Sequence, residues 1–305
     1  MDGILIIDKS EDWTSHDVVG RARKILKTKR IGHTGTLDPF ATGVLVLLVG
    51  KATRLAQFLD KDAKEYEAVI RFGFETETGD RTGELRITNY ELRNISVEEI
   101  ENILKSFRGE IWQTPPMHSA KKIDGKKLCE LARKGIEIER EPVKVTIYEL
   151  RITNYELREK ISDSGFKTQD LEIRVLCSAG TYIRTLAEDI GKKLNFGAHL
   201  AELRRTKAGK FFIENSVTLE RLEEIVSADK LEEHLISMNE TLAHLAEIKL
   251  STEDAGKIKN GIKLKRDLKD ASDGEFVRLT SGENLLAVGR YNETEKIVQP
   301  KLVLM

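Results

Sequence analysis

With 305 residues, 40% of them hydrophobic and 33% charged, the chain can bury a full core and sits near the usual ceiling for one domain, so two domains are expected. A formal net charge of -1 excludes a uniformly basic nucleic-acid coat. No apolar run approaches the roughly 18 residues of a membrane helix, residues 4–7 are too short for a secretory leader, and Cys129 and Cys177 lack metal-type spacing, so they read as reduced thiols of a cytoplasmic protein with no disulfide or structural zinc.

A first strand over residues 3–8 leads into Thr14-Ser15-His16-Asp17, which matches a capping box, and then into an amphipathic helix with Val18, Val19, Ala22, Ile25 and Leu26 on one face. The opposite face is basic. Residues 16–59 hold eight basic residues against two acidic ones, a balance of +6, whereas residues 214–260 hold eleven acidic against five basic, a balance of -6. A phosphate-binding face therefore belongs to the first two hundred residues, unless the basic helix is merely a solvated surface.

A Gly- and Thr-rich loop over 32–43 precedes residues 44–49, whose unbroken hydrophobicity predicts a strand buried on both sides. Residues 64–74 alternate like a strand, 97–107 and 125–134 read as helices, and 143–150 and 171–177 alternate again. Strands and helices follow no regular alternation and no GxGxxG follows the first strand, so the pattern is α+β and a doubly wound dinucleotide fold is disfavoured. The decapeptide Glu-Leu-Arg-Ile-Thr-Asn-Tyr-Glu-Leu-Arg occupies 84–93 and again 149–158. It is too short for a repeat architecture and reads as two surface insertions able to extend a strand or hairpin. After the acidic stretch, a helix over 252–261 and strands over 275–279, 285–291 and 302–304 suggest a small separate β-rich domain. The expected division is 1–235 and 236–305.

The loop Gly32-His-Thr-Gly-Thr-Leu-Asp-Pro-Phe-Ala-Thr-Gly43 carries the chemistry. Its glycines permit positive φ and close backbone approach, and Pro39 holds Asp38 extended, so a fixed loop presents one carboxylate. Taken alone, an aspartate there could equally cap the next element. The string Gly35-Thr-Leu-Asp-Pro-Phe40 resembles the start of nucleotidylyltransferases, but Thr42-Gly43-Val44-Leu45 replaces their histidine pair, which leaves that reading the alternative.

The full loop instead resembles the catalytic loop of the bacterial tRNA pseudouridine synthase B (TruB) family. Further motifs agree in order: Gly3-Ile-Leu-Ile-Ile-Asp-Lys9, Thr14-Ser-His-Asp-Val18, Gly50-Lys-Ala-Thr-Arg54, Lys64-Glu-Tyr66, Pro115-Pro-Met-His-Ser-Ala-Lys-Lys122, Gly180-Thr-Tyr-Ile-Arg-Thr185 and Leu203-Arg-Arg205. The resemblance implies a mixed, mainly antiparallel central sheet flanked by helices, with a small C-terminal PUA-like domain. It implies conversion of uridine 55 in the T arm of tRNA to pseudouridine, with no cofactor and no metal. It makes Asp38 the catalytic carboxylate, Arg184 its ion-pair partner and Tyr66 the stacking platform for a flipped base, with Tyr182 and Leu203 lining the pocket and His33 touching the RNA loop. Lys9, Arg54, Arg204, Arg205 and Lys207 are assigned to phosphate contact. The expected partner is the tRNA stem-loop, with no membrane; because the chain opens directly on its first strand, no guide RNA or obligatory protein partner is expected, and a monomer is expected. A rival reading, an RNA-binding or tRNA-folding protein with secondary catalysis, shares the same surface.

Overall fold

The computed structural model describes residues 1–86, 92–154, 160–161 and 167–304. Strand β1 (Gly3–Lys9) feeds helix α1 (Ser15–Ile25), then β2 (Ile31–Thr34) and β3 (Thr42–Val49). The capping box forms as expected: the Thr14 hydroxyl accepts from the Asp17 N–H at 3.1 Å and the Asp17 carboxylate accepts from the Thr14 N–H at 3.0 Å. The unbroken apolar run of β3 serves two cores. Val44, Val46 and Leu48 join Ile4 and Ile6 on one side, while Leu45, Leu47 and Val49 meet Val18, Ala22 and Ile25 of α1 on the other.

The central sheet continues through β4 (Lys64–Phe72), β5 (Gly109–Gln113), β6 (Val143–Asn154), β7 (Lys167–Cys177) and β8 (Ala198–Ala208) in the order β1-β3-β8-β4-β7-β6-β5. Every neighbouring pair on that path is antiparallel except β3 with β8. The period-2 alternation of β4 and β7 turns Ala68, Ile70, Leu171 and Ile173 toward a core covered by α2 (Val97–Lys105) and α3 (Ile183–Leu194). The mixed, mainly antiparallel α+β class is thus the one observed.

Two expectations need correcting. Residues 125–134 are not one helix: Lys122–Ile123 and Lys126–Lys127 form a hairpin, and only Leu128–Ala132 is helical. The Asp124-Gly125 pair, with φ of 50° and 80°, closes that hairpin as such dipeptides favour. The repeated decapeptides are not simple surface insertions either. Residues 149–154 of the second copy lengthen β6, where Leu150 is buried and Ile152 packs on the core. In the first copy Leu85–Arg86 pairs with Glu75–Thr76 and Leu92 packs on the same core, while 87–91 and 155–158 lie outside the described residues.

The C-terminal β-rich domain forms as expected, with a core of its own that includes Ile248, Ile258, Val277, Leu279, Tyr291 and Val298, and it also shares a core with the first strands. It contains β9 (Ala246–Lys249), α5 (Thr252–Lys259), β10 (Leu264–Lys265), β11 (Phe276–Ser281), β12 (Asn284–Asn292) and β13 (Ile297–Val303), with sheet order β9-β11-β12-β13-β10. Leu285, Val288, Leu302 and Leu304 enter the same core as Ile4, Val46 and Leu55. Ile236 exchanges two backbone hydrogen bonds of 2.9 Å with Ile4. We propose 1–235 and 236–305 as the division into structural domains, coupled through that shared core.

Candidate active site

The loop between β2 and β3 is pinned on both sides of Asp38. Leu37 and Phe40 are buried in the main core, which anchors the flanking positions. The Ser15 hydroxyl, in the first turn of α1, accepts from the Leu37 N–H at 2.9 Å and donates to the Leu37 carbonyl at 3.2 Å. Lys9, at the end of β1, donates to the carbonyls of Pro39 at 3.0 Å, Ser10 at 2.9 Å and Trp13 at 2.6 Å. Burial pulls the Lys9 ammonium down to about 8, the nearby Asp12 and Asp38 opposing the drop. Gly43, at φ 100°, passes so close to β8 that a Cβ there would stand 2.2 Å from the Arg205 carbonyl oxygen.

Asp38 faces a guanidinium fork. Arg184 Nε lies 2.9 Å from Asp38 Oδ2 and Arg184 Nη2 donates to Oδ1 at 3.1 Å. Arg184 comes from the first turn of α3, and its remaining donors are also engaged: Nη1 donates to the Thr78 carbonyl at 3.0 Å and Nη2 to the His118 carbonyl at 2.7 Å. Asp80 flanks its other edge at 3.6 Å and is itself held by Thr78 and Thr82. Burial pushes the Asp38 carboxyl above its ordinary pKa, Arg184 pulls it back, and Asp80 pushes it up again. The carboxyl retains an open side, because its side chain is 32% exposed against 6% for Arg184.

That open side meets a cleft of about 270 Å³ lined by Asp38, Tyr66, Tyr182, Arg184 and Leu203, with Lys64 and Arg205 behind. Tyr66 sits on β4 between Val175 of β7 and Arg205 of β8, and burial raises its phenol pKa. Tyr182 caps α3, and the Gln113 carboxamide brackets it by accepting from its N–H at 2.9 Å and donating to its carbonyl at 3.2 Å. The cleft thus combines one oriented carboxylate, two phenols and apolar wall, a set that can hold a planar base beside a charged oxygen.

Other expected positions fall elsewhere. His33 lies on β2 beside His16, ring centroids 5.7 Å apart, with Nδ1 buried and without a partner among the described residues. Burial, with His16 adding, drives its pKa down to about 4, so the ring is neutral at pH 7. Phosphate contact does not fit Lys9 or Arg205. Both are 1% exposed, with Lys9 spent on three carbonyls and Arg205 on those of Val44 and Gly35. Arg204 is forked onto Asp8 at 2.8 and 3.1 Å, and Arg54, although exposed, points one nitrogen at the Val303 carbonyl. Lys207 stacks over Phe212, 4.6 Å from the ring centre. Sequence reasoning missed Asp80 and Gln113. Thr78-Gly-Asp-Arg-Thr82 carries a turn signature from which a buried Asx cap could have been read, whereas nothing local singles out Gln113.

A sequence model of the TruB family pseudouridylate synthase N-terminal domain matches residues 23–183, and one of the tRNA pseudouridylate synthase B C-terminal domain matches 184–243. The chain belongs to the TruB family. It is 44% identical over 261 residues to the tRNA pseudouridine synthase B of Solibacter usitatus (strain Ellin6076), covering 86% of this chain and 85% of that protein. To the Bacillus anthracis protein of the same name it is 44% identical over 268 residues, 88% of this chain and 86% of the other. Among solved structures, the chain resembles one described as an H/ACA RNP bound to a substrate RNA containing 2'-deoxyuridine, with TM-score 0.71 at 25% identity, covering 99% of this chain and 85% of that one. A Cbf5-Nop10-Gar1 complex gives TM-score 0.71 at 27% identity with the same coverage. The two TruB-family matches meet between Ile183 and Arg184, so the ion pair joins an aspartate from the first matched region to an arginine that opens the second.

Proposed function

We propose that this TruB-family chain isomerises uridine 55 in the T arm of tRNA to pseudouridine, with Asp38 as the catalytic carboxylate, Arg184 as its partner and Tyr66 as the platform for the base. The reaction breaks the bond from N1 to C1′, rotates the uracil, joins C1′ to C5, and moves a proton from C5 to N1 by way of solvent. Product and substrate have the same atoms. A carboxylate facing C1′ can trap or stabilise the sugar while the base is detached. A stacked uridine cannot reach a recessed cleft, so the nucleotide is flipped out and held against Tyr66, Tyr182 and Leu203. His33, Arg54 and Arg204 are left as RNA contacts at the rim, and the folded stem-loop is read by shape. The enzyme is taken to act in the cytoplasm as a monomer, without guide RNA or protein partner.

The observation that carries this reading is the forked Asp38–Arg184 pair opening onto a cleft shared with Tyr66. Purified protein alone is incubated with T-arm RNA tritiated at uridine C5, since pseudouridylation releases that label. Wild type is expected to release it, and Asp38→Asn to bind the RNA but release none. Release by Asp38→Asn at the wild-type rate removes the assignment. Tight binding without release by wild type leaves an RNA-binding protein instead.

A further inference from the structure

Arg205 is a buried cation with no carboxylate within ion-pair distance among the described residues, an expensive arrangement unless its donors are all placed. Its Nε donates to the Val44 carbonyl at 2.7 Å and its Nη2 to the Gly35 carbonyl at 2.9 Å. Those carbonyls stand at the two ends of the segment that carries Asp38. Its backbone pairs with Gly43 in parallel register, so main chain and side chain grip the same loop. On the neighbouring strand Arg205 pairs directly with Tyr66, and both residues line the cleft.

We propose that Arg205 is a positioning residue that fastens the Asp38 loop at both ends against the strand that carries Tyr66, so that carboxylate and platform are held as one unit. This rests on the function proposed above. It also replaces the phosphate contact expected from the sequence: Arg205 acts on the rate of the chemical step and not on RNA affinity.

A double-mutant cycle tests it, with Arg205→Lys, Tyr66→Phe and the pair, each followed by single-turnover tritium release over a day and by filter binding of T-arm RNA across a salt series. Arg205→Lys is expected to slow release by about 30-fold or more in the wild-type background and by less than about 3-fold in Tyr66→Phe, the non-additivity of paired neighbours that are held as one unit. Its affinity and salt dependence stay as in wild type. Equal losses in both backgrounds overturn the proposal, and so does a salt slope reduced by about one unit, the mark of a lost phosphate contact. Should Arg205→Lys not fold, Arg205→Gln takes its place, because a carboxamide avoids a buried charge and can donate to one of the two loop carbonyls but not both. Coupling to Tyr66→Phe is again expected, and additivity again overturns the proposal. Wild type in the same assay separates the two failures: no release at all refutes the function, whereas release with an additive cycle refutes only the role of Arg205.

Discussion

Under the proposed function Asp38 is under opposed demands, since that role asks it to be ionised, yet burial and Asp80 favour its neutral form, with Arg184 the main group opposing them. The acid limb of the single-turnover rate should accordingly lie above the ordinary carboxylate value of 3.8. Removing the guanidinium removes a group that lowers the pKa. Arg184→Gln is therefore expected to slow the reaction and also to move the acid limb to higher pH, and a pH–rate profile with the limb unmoved or shifted downward would contradict this balance. Lys9 makes the complementary case for a residue whose type misleads. A lysine two turns of chain from a basic helix suggests phosphate, but its three bonds to Ser10, Trp13 and Pro39 carbonyls make it a brace for the Asp38 loop. Lys9→Met should destabilise the fold by about 1–3 kcal/mol, the usual effect of stranding buried acceptors, and reduce turnover, while leaving the salt dependence of RNA binding unchanged. Urea unfolding and a salt series on the same preparation check both halves. At this scale the meeting of Asp38, Arg184 and Tyr66 at one cleft was legible through motif resemblance, whereas the burial that separates Lys9 and Arg205 from true surface cations was not, because it depends on strands distant in sequence.

The elements explain why one loop can be held so firmly. It leaves β2, passes the first turn of α1 and the end of β1, and enters β3, and the last three each supply a fixed point: Ser15 of α1 grips Leu37, Lys9 of β1 grips Pro39, and Gly43 lets β3 close against β8. The third is the least forgiving. An alanine at 43 would carry a Cβ 2.2 Å from the Arg205 carbonyl oxygen on a backbone at φ 100°, so the collision is with main chain that cannot rotate aside. Gly43→Ala is expected to lose at least about 2 kcal/mol of stability in urea and most of its turnover, since the β3–β8 contact spreads and takes the Asp38 loop with it. A variant with wild-type stability would show that the strands part without penalty. Elements whose pattern is set by their own period were legible in advance, notably the two-sided run of β3, the alternation of β4 and β7, and the capping box of α1. The stretch 125–134 was misread because an Asp-Gly turn outweighed a run of good helix formers, and the decapeptide at 149–158 because its Leu150 and Ile152 find a core only through pairing with β7.

Across the whole molecule, the charge segregation seen along the chain is partly undone by folding. The acidic segment contributes α4 (Leu219–Ser227), whose Glu223 pairs with Arg21 of the basic helix at 2.6 Å, so some of the basic face is answered within the protein and not by a ligand. The same closing-up governs the C-terminal sheet. Its composition suggested a small β-rich module, and it has a core of its own around Val277, Leu279 and Val298, but composition does not report which face it shares with its neighbours. Leu285, Val288, Leu302 and Leu304 lie in one core with β1 and β3, and β3 is also the strand that ends the Asp38 loop. Unfolding the terminal sheet would therefore expose the back of the strand that supports the site. Calorimetry is expected to show one cooperative transition for the whole chain rather than two. Leu302→Ala, at a position 5% exposed, should lower that single transition by about 2–5 kcal/mol of stability, the range for a large apolar side chain removed from a packed core, with turnover and melting lost together. If instead the melt splits, with an early phase sensitive to Leu302→Ala and a later phase that keeps tritium release intact, the terminal sheet is energetically independent and its shared core contributes little to holding β3.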